Sequence, residues 1–413
     1  MILADTSEVL TRAGVIARFS LGKGFPLWMP FGARLAERLE TIFLNTLSEE
    51  REFVEIEPPL LIPEEDYQAA MRNSFDYGNM CVLEHEGRPH LLRPDNLFIA
   101  ARALCASRIW DVPVAMPSQS FYRTETNGIA PLVRDCHIWQ TTQIVEWVRE
   151  APVEATLARH VRVFTRFLER LCIPTLTIDA GSLRTHSRRR ILTYSCTDLH
   201  EITMTGTIYE IAPELRDGLG LDGTLIDYGF TTKLLAVVAA VYADNAGLVL
   251  PSLLSPEQVV IGIKRDTDRA PAEALAAALR EADLERVRVD DGPWHRTLRH
   301  GRSRGVPCMV LADAAQHHQV LTRLQPESVP LAAEPAQHVR DVLERHDREL
   351  WAQGVRQLEA ALAAAEAAKL DRDEQPAEGW HPLGRVLALG GTCEAPSAPG
   401  RALYLHTRKR RLY

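Results

Sequence analysis

Apolar residues along the chain follow the spacing of a helix in some segments and the spacing of a strand in others. After the Gly- and Pro-rich segment 21–32, they fall three or four positions apart from Leu35 to Leu47, which predicts a helix. Segment 152–171 has the same spacing and predicts a second amphipathic helix. Segment 334–369 is built almost wholly from helix-forming residues and predicts a third.

Short apolar runs bounded by turn residues predict strands. Segments 82–84 and 90–92 flank the tetrapeptide EGRP and predict a hairpin, whereas the three prolines of 54–63 favour an extended edge segment. Segment 201–211 alternates weakly and is interpreted as strand. From Val259 onward strands and helices alternate as far as Leu324, which predicts a small α/β domain with a mixed sheet.

The segment from Phe121 to Trp147 combines strand periodicity with polar residues that suit a nucleotide. Two extended runs flank a loop with turn-forming residues, and alternation places Arg123 and Glu125 on one face of the first run. A guanidinium suits a phosphate, and a carboxylate accepts hydrogen bonds from an amine. A nucleotide lying across the sheet would use both, but a surface ion pair on a hairpin explains the same residues.

Length and composition restrict the class of protein. At 413 residues the chain is too long for one core, so two or three domains are expected. Hydrophobic residues make up 46% and charged residues 25%, as in ordinary globular proteins. No apolar run reaches the length of a membrane span and the first residues lack a signal-peptide pattern, so we expect a cytoplasmic protein. The net charge of −8 does not favour nucleic-acid binding, although it allows a local basic patch.

The cysteines indicate neither a disulfide framework nor a metal site. They are odd in number, scattered, and contain no C-x-x-C pair, which predicts reduced and mostly buried thiols. The seven are Cys81, Cys105, Cys136, Cys172, Cys196, Cys308 and Cys393.

Several motifs together resemble a known family. Arg123-x-Glu125, the loop, Arg134 and the strand Ile138-Trp139-Gln140 resemble motif 2 of class II aminoacyl-tRNA synthetases. YGFTTK at 228–233 resembles motif 3 of prolyl-tRNA synthetases, and the resemblance implies that Gly229 opens an apolar helix from Phe230 to Ala243. GLVLP at 247–251, followed by PEQVVI, continues as in that family and is a specific match, whereas R-x-E alone is not. The resemblance extends from about residue 22 to the last residue.

The resemblance implies an α+β architecture in three parts. A catalytic domain on an antiparallel sheet would span 1–255, an anticodon-binding-like α/β domain 256–345, and a helix with a degenerate C-terminal domain 346–413. The segment between the hairpin and Gly229 is too short for the editing domain of some relatives. Motif 1 forms the dimer interface in class II synthetases, so the resemblance implies a homodimer through the region after Gly22; a helix packed on its own core is the alternative.

The resemblance also implies amino-acid activation with ATP and Mg²⁺. The amino-acid carboxylate would attack the α-phosphorus of ATP, pyrophosphate would leave, and an aminoacyl adenylate would form. Arg123 would bind the α-phosphate and the amino-acid carboxylate, Glu125 the adenine amine, and Lys233 the γ-phosphate. Gln140 would bind the amino acid or the ribose. Residues implied for the nucleotide are Arg123, Glu125, Arg134, Ile138 (or His137, against adenine), Gln140 and Lys233. Residues implied for the amino-acid pocket are Asp95, Leu97, Trp139, Gln140, Tyr228 and Gly229.

The chain departs from the family pattern at individual contacts. The family's R-P-T-x-E holds the amine of proline, but Asp95 replaces the Thr and Leu97 the Glu. Asp95 is interpreted equally as the partner of an ammonium group or as an N-cap of the following helix. Lys233 replaces an Arg, which keeps the charge and loses the planar fork. Thr141 stands where the family has an acidic Mg²⁺ ligand.

The C-terminal parts depart as well. The helix predicted at 294–302 lacks the acidic residue with which prolyl enzymes read the anticodon, and four arginines make this region basic. They are Arg296, Arg299, Arg302 and Arg304. Archaeal-type enzymes end in a domain with four zinc-binding cysteines and a terminal Tyr near the active site. Here Tyr413 is present but Cys393 stands alone, and one thiol cannot build a zinc site.

Three functions fit these observations. The first is an enzyme that activates a small amino acid such as Pro or Ala and transfers it to a non-tRNA acceptor, a small metabolite or nucleoside in natural-product biosynthesis. The second is a proline–tRNA ligase with a divergent pocket. The third is a non-catalytic binding or regulatory protein. The first is favoured because the departures fall at functional contacts while scaffold segments persist. The sequence does not name the amino acid or the acceptor, nor whether Tyr413 reaches the pocket.

Overall fold

The computed structural model describes most of the chain. The described residues are 6–18, 22, 24–71, 80–124, 132–133, 135–182, 186–198, 201–315, 317–325, 327–364, 368–370, 380–389 and 402–406. Glu125, Arg134, Cys393 and Tyr413 lie outside them. No helix within these ranges is sufficiently long and apolar to cross a membrane.

Ten α-helices occur among the described residues. They are α1 (Thr6–Ala13), α2 (Pro30–Glu50), α3 (Glu64–Met71), α4 (Leu97–Ser107), α5 (Val153–Arg170), α6 (Pro213–Gly218), α7 (Lys233–Tyr242), α8 (Arg269–Glu281), α9 (Trp294–Arg304) and α10 (Pro335–Ala364). The predicted helices therefore form, but α7 begins later than motif 3 suggests. Gly229 and Phe230 end a strand, and their backbone pairs with the neighbouring strand instead of opening the helix.

Eighteen strands connect these helices in the described part of the chain. They are β1 (Val54–Glu55), β2 (Leu61–Pro63), β3 (Cys81–His85), β4 (Arg88–Leu92), β5 (Val114–Tyr122), β6 (His137–Val148), β7 (Leu176–Asp179), β8 (Ser187–Asp198), β9 (Glu201–Ile211), β10 (Thr224–Phe230), β11 (Val259–Gly262), β12 (Val287–Asp290), β13 (Cys308–Leu311), β14 (Gln319–Thr322), β15 (Val329–Pro330), β16 (Ala368–Leu370), β17 (Trp380–Leu389) and β18 (Ala402–His406).

One large sheet organises the greater part of the fold. Its order is β1-β5-β6-β10-β9-β8-β7-β17-β18-β16. All neighbours from β5 to β18 run antiparallel, and β1 is parallel to β5. The predicted α+β domain on an antiparallel sheet is thereby confirmed. The described strands of the C-terminal segment continue this sheet beside β7.

Alternation along the central strands sends residues to two different cores. Ile144 of β6 and Ile226 of β10 join the core formed with α2, α5 and α7. Val145 and Leu225 join the core formed with α3 and α4. Because each central strand is covered on both faces, its polar residues are buried and need specific partners.

The second domain is built as its sequence predicts. Its sheet has the order β12-β11-β13-β14-β15, with β11 parallel to both its neighbours and β14 antiparallel to β13. Arg323 and Gly305 connect this domain to the segment that precedes it. The Arg323 guanidinium pairs with the Asp244 carboxylate and donates to the Leu248 carbonyl at 3.1 Å. The left-handed Gly305 lies so close to the Leu248 carbonyl that a β-carbon would meet it at 2.8 Å.

Among the described cysteines, Cys172, Cys196 and Cys308 are buried, Cys81 and Cys136 are partly exposed, and Cys105 is exposed. All six are free thiols. The expectation of mostly buried thiols therefore holds for half of them.

Candidate active site

A cavity of about 350 Å³ opens where β5, β6, β9 and β10 meet the start of α4. Its described lining residues are Asp95, Leu97, Phe121, Arg123, Thr142, Gln143, His186, Met204, Thr205, Gly206, Thr207, Tyr209, Asp227, Tyr228, Gly229, Phe230, Thr231 and Lys233. Six residues implied by the family resemblance are among them: Asp95, Leu97, Arg123, Tyr228, Gly229 and Lys233. Segments far apart in the sequence therefore meet at one site.

Two cations reach the cavity from different walls. Arg123 follows β5, and its Nε donates to the Pro94 carbonyl at 2.9 Å, which places the guanidinium beside the segment that carries Asp95. Lys233 is the first residue of α7, and its Nζ donates to the Met204 carbonyl on β9 at 2.8 Å. Both side chains are thus held by backbone oxygens, so their charges are positioned before any ligand binds.

Asp95 lies directly before the N-cap of α4 and lines the cavity. Its Oδ1 accepts the Leu97 N–H at 2.9 Å at the start of α4, and its Oδ2 accepts the Tyr67 hydroxyl at 2.8 Å. The N-cap position itself is Asn96, whose side chain makes no capping bond. Asp95 therefore stabilises the helix start and also presents a buried carboxylate to the cavity.

A second carboxylate, Asp227 on β10, faces the same cavity. Its Oδ1 accepts the Gln143 side-chain amide at 2.6 Å, and Gln143 Oε1 accepts the Asn96 backbone N–H at 3.1 Å. Burial raises the pKa of Asp227 to about 7; the Gln143 hydrogen bond opposes this shift and the nearby Asp95 charge adds to it. The cavity is thus lined by two acids and two cations.

Tyr228 is among the residues that line the cavity, but its ring packs in the core against Phe43 and Phe164. The hydroxyl lies 3.1 Å from Nδ1 of His160, and Nε2 of His160 lies 2.7 Å from Glu146. Arg159 donates to both oxygens of Glu146 at 3.0 and 3.1 Å. Burial lowers the pKa of His160 and outweighs the opposing Glu146 contact, so the imidazole is neutral. This network fixes the tyrosine where the family has a Trp.

Three residues implied by the resemblance lie elsewhere. Gln140 adopts a left-handed backbone at a bulge between β5 and β6, and its Nε2 donates to Glu40 at 3.1 Å and Ser118 at 3.0 Å. Ile138 and Trp139 line a separate small pocket, where Trp139 contacts Trp28 at 5.0 Å between ring centroids. None of the three is among the residues that line this cavity, and their assignment to the nucleotide or the amino acid stays a prediction.

The neighbouring His137 also has an aromatic partner. Its ring stacks on Tyr122 at 4.6 Å, with planes 10° apart. Burial lowers the pKa of His137, which favours the neutral ring.

The assignments of Glu125 to adenine and Arg134 to the nucleotide fall outside the described residues.

Sequence reasoning overlooked the polar residues that complete the site. Gln143, Asp227, Tyr209 and His186 all line the cavity. Two of them carried a readable signal: Asp227 interrupts the apolar run TLIDYGF, and Gln143 precedes the apolar IVEWV. A polar residue inside a strand covered on both faces has a partner or a ligand.

The described residues contain no group of three His, Cys, Asp or Glu side chains that could hold a metal ion. Thr141, at the family's Mg²⁺-ligand position, is buried and donates to the Gln119 carbonyl at 3.3 Å. Chemically, the cavity can neutralise phosphate and carboxylate charges with Arg123 and Lys233, and can accept hydrogen bonds from an amine with Asp95 and Asp227.

Comparisons with known proteins identify relatives by sequence and by fold. No family model matches the sequence. The proline–tRNA ligase of Aeropyrum pernix is 25% identical over 366 residues, 78% of this chain and 73% of that protein. The proline–tRNA ligase of Pyrococcus abyssi is 24% identical over 277 residues, so the match spans 62% of this chain and 58% of that protein.

A solved structure gives the same fold. The crystal structure of prolyl-tRNA synthetase from Cryptosporidium parvum, complexed with halofuginone and AMPPNP, superposes with a TM-score of 0.76. The match covers 97% of this chain and 96% of that chain at 13% sequence identity, a level at which it speaks for the fold alone.

Proposed function

On the premise that this chain is a prolyl-tRNA synthetase-like class II synthetase, we propose that it activates an amino acid by forming an aminoacyl adenylate from ATP. The observation that carries the proposal is that Arg123, Lys233, Asp95 and Asp227 line one cavity. Adenylate formation requires two anions to approach each other, so positioned cations account for much of its catalysis.

An α-amino acid presents an ammonium and a carboxylate group on neighbouring carbons. The cavity offers a cation and an acid that also lie close together. Arg123 donates a hydrogen bond to the carbonyl of Pro94, the residue before Asp95. The carboxylate of the amino acid would bind Arg123 and its ammonium the acidic groups. Arg123 would then also contact the α-phosphate, and would neutralise charge as the carboxylate oxygen attacks phosphorus.

Lys233 would bind the outer phosphates of ATP. Its backbone position at the start of α7 adds the partial positive charge of a helix N-terminus, which also favours phosphate. A lysine binds phosphate as a point charge, without the two-pronged contact of arginine. Mg²⁺ would arrive with the nucleotide, held chiefly by phosphate oxygens and water, because Thr141 is turned away from the cavity.

We further propose that the acceptor is a small metabolite or nucleoside instead of tRNA, as in natural-product biosynthesis. Support comes from helix α9, whose exposed Arg296 and Arg299 join no ion pair in the described part of the chain. Such a surface suits phosphates but supplies no acidic group to read a base. The replacements Leu97 and Lys233 fall at substrate contacts as well.

Charging of tRNA with proline is the second candidate. It is favoured by the names of the relatives and by retention of the second domain with its mixed sheet. The two candidates share the activation step and differ in the acceptor.

Pyrophosphate exchange with ATP, tested separately with each proteinogenic amino acid, is the decisive experiment. Exchange that depends on at least one amino acid is expected, and its absence with all of them would contradict activation. Total tRNA is then offered with the active amino acid. Formation of alkali-labile aminoacyl-tRNA would exclude our first proposal for the acceptor and establish the second candidate.

We also propose a homodimer through the region after Gly22. Phe25 and Met29 are large apolar residues with 41% and 36% of their surface exposed, which suits a covered interface. Light scattering should give twice the 46.2 kDa chain mass, and a monomer at micromolar concentration would contradict the proposal.

A further inference from the structure

Asp95 and Asp227 form a pair of carboxylates that have no ion-pair partner among the described residues. They lie on the same cavity and are 6% and 7% exposed. None of the ion pairs among the described residues includes either of them. Two buried acids without a positive partner are costly, which is the situation that a cationic ligand relieves.

The hydrogen bonds of the two acids differ. Both oxygens of Asp95 accept from the protein, one from Leu97 and one from Tyr67. Asp227 accepts the Gln143 amide through Oδ1, and no hydrogen bond within the described residues uses Oδ2. Asp227 therefore has more capacity than Asp95 to accept from a ligand.

Gln143 fixes the distance between the two acids. Its oxygen accepts from the Asn96 backbone next to Asp95, and its nitrogen donates to Asp227. A backbone N–H at one end and a carboxylate at the other determine the orientation of the amide. Gly229, two residues after Asp227, keeps the strand close to β6, because a β-carbon there would meet the Thr142 carbonyl at 2.4 Å.

We infer that Asp227 is the principal acceptor of an ammonium-binding subsite in which the amine of the substrate lies between Asp227 and Asp95. The inference deepens the proposed function, since it takes the ligand to be the amino acid that is activated. It assigns the main contact to Asp227, on β10, and leaves Asp95 the supporting one. An α-hydroxy acid, which lacks the ammonium charge, would be rejected.

Ionisation of Asp227 gives the subsite a measurable signature. Among the described residues that line the cavity, the charged or titratable groups around it are Asp95, Arg123, His186, Tyr209, Tyr228 and Lys233. Burial first, and then Asp95, raises the pKa of Asp227 to about 7 in the free protein. Below that pH the carboxyl carries a proton that an ammonium ligand must displace, so affinity for the amino acid should fall as pH falls from 8 to 6.

Calorimetric titration tests the inference without requiring turnover. L-proline, L-alanine and then the remaining proteinogenic amino acids are titrated into the full chain, with L-lactate as the hydroxy analogue of alanine. The wild type should bind at least one amino acid, not lactate, and more weakly at pH 6. Asp227→Asn, which preserves size and the bond from Gln143, should weaken binding about ten- to a hundredfold and abolish the pH dependence.

Matched variants separate the two acids from a general effect. Asp95→Asn should weaken binding less and retain the pH dependence, and Asp217→Asn, on the exposed helix α6, should behave as wild type. The inference would be overturned if Asp227→Asn kept the wild-type affinity, or if it lost no more affinity than Asp95→Asn and kept the pH dependence. It would also be overturned if the wild type bound no amino acid. Binding without pyrophosphate exchange would instead contradict the proposed function and leave this subsite intact.

Discussion

The cavity of the catalytic domain and helix α9 of the second domain both gather charged residues, but they do so in opposite ways. In the cavity each charge is fixed: Arg123 on Pro94, Lys233 on Met204 and Asp227 on Gln143. On α9, Arg296 and Arg299 lie exposed on the surface without an ion-pair partner in the described part of the chain.

This difference separates two kinds of binding. Fixed charges of both signs discriminate between ligands, because a ligand with the wrong group leaves a buried charge unpaired. Exposed surface arginines attract any polyanion and discriminate little. The contrast predicts that substitutions in and behind the cavity have large and specific effects, while substitutions on α9 have small and general ones.

The largest effect is expected from the support behind the cavity. Glu146 is fully buried and accepts from His160 and Arg159, so Glu146→Ala leaves Arg159 unpaired and removes the support of Tyr228. We expect a loss of about 3–5 kcal/mol in the free energy of unfolding, measured by urea denaturation. Glu344→Ala, an exposed acid on α10, is the control, and equal stability of the two variants would contradict the structural role.

The second-largest effect is expected at Arg123, which we propose binds both the amino-acid carboxylate and the α-phosphate of ATP. Arg123→Ala should lower the rate of pyrophosphate exchange about 10²–10³-fold, because a positioned donor to the reacting charge is lost. Arg188→Ala, at a side chain 72% exposed, should leave the rate unchanged. If Arg123→Ala retained more than a tenth of the activity, the cavity would not be the site of activation.

The sequence predicted some of the elements and residues in these tests and missed others. The hairpin β5–β6, helices α5 and α9, strand β9 and the mixed sheet could all be predicted, because periodicity and turn residues act locally. Arg123, Lys233 and Asp95 could be placed at one site because their motifs resemble a family. Nothing local indicated that the strands 380–389 and 402–406 extend the catalytic sheet, since that pairing joins β17 to β7 across the chain.

Gln140 lies at a bulge of β6, where an extra residue changes the face to which the side chains point, and it does not line the cavity. Gln143, three residues later, is the glutamine that reaches the cavity. Asp227 was overlooked because its importance depends on Asp95 and Gln143, which approach it only in the folded chain.

A third prediction concerns the cost of keeping Asp227 in the cavity. Its folded pKa of about 7 exceeds the value of about 3.9 for an unfolded Asp, so the folded state holds the proton more strongly and wild-type stability falls as pH rises from 4 to 7. Asp227→Asn removes this penalty. The variant should unfold like wild type at pH 4 and be more stable by about 2–3 kcal/mol at pH 8, measured by thermal denaturation.

The opposite sign, with Asp227→Asn less stable at pH 8, would mean that the carboxylate already has a cationic partner in the free protein. That result would contradict the description of Asp227 as a buried acid that the Gln143 amide holds without an ion pair among the described residues. Asp217→Asn provides the baseline, because this residue is exposed.

A smaller effect is expected at Lys233. Lys233→Ala should raise the KM for ATP about tenfold, as for one lost charge-assisted contact, with a smaller change in the KM for the amino acid. Lys233→Arg should restore or improve ATP binding, since the planar fork suits phosphate. Equal changes in both KM values would place Lys233 in the amino-acid pocket instead.

The smallest effect is expected on α9. Arg296→Gln combined with Arg299→Gln should change pyrophosphate exchange by less than about twofold, since surface changes remote from the cavity rarely perturb it. Binding of total tRNA should weaken, and the slope of log affinity against log salt should become shallower by about two, one for each lost phosphate contact. Arg348→Gln on α10, 69% exposed, should alter neither quantity. If the α9 variant lost affinity for a single tRNA and kept its affinity for the others, this surface would read sequence, and the contrast with the cavity would fail in favour of tRNA charging.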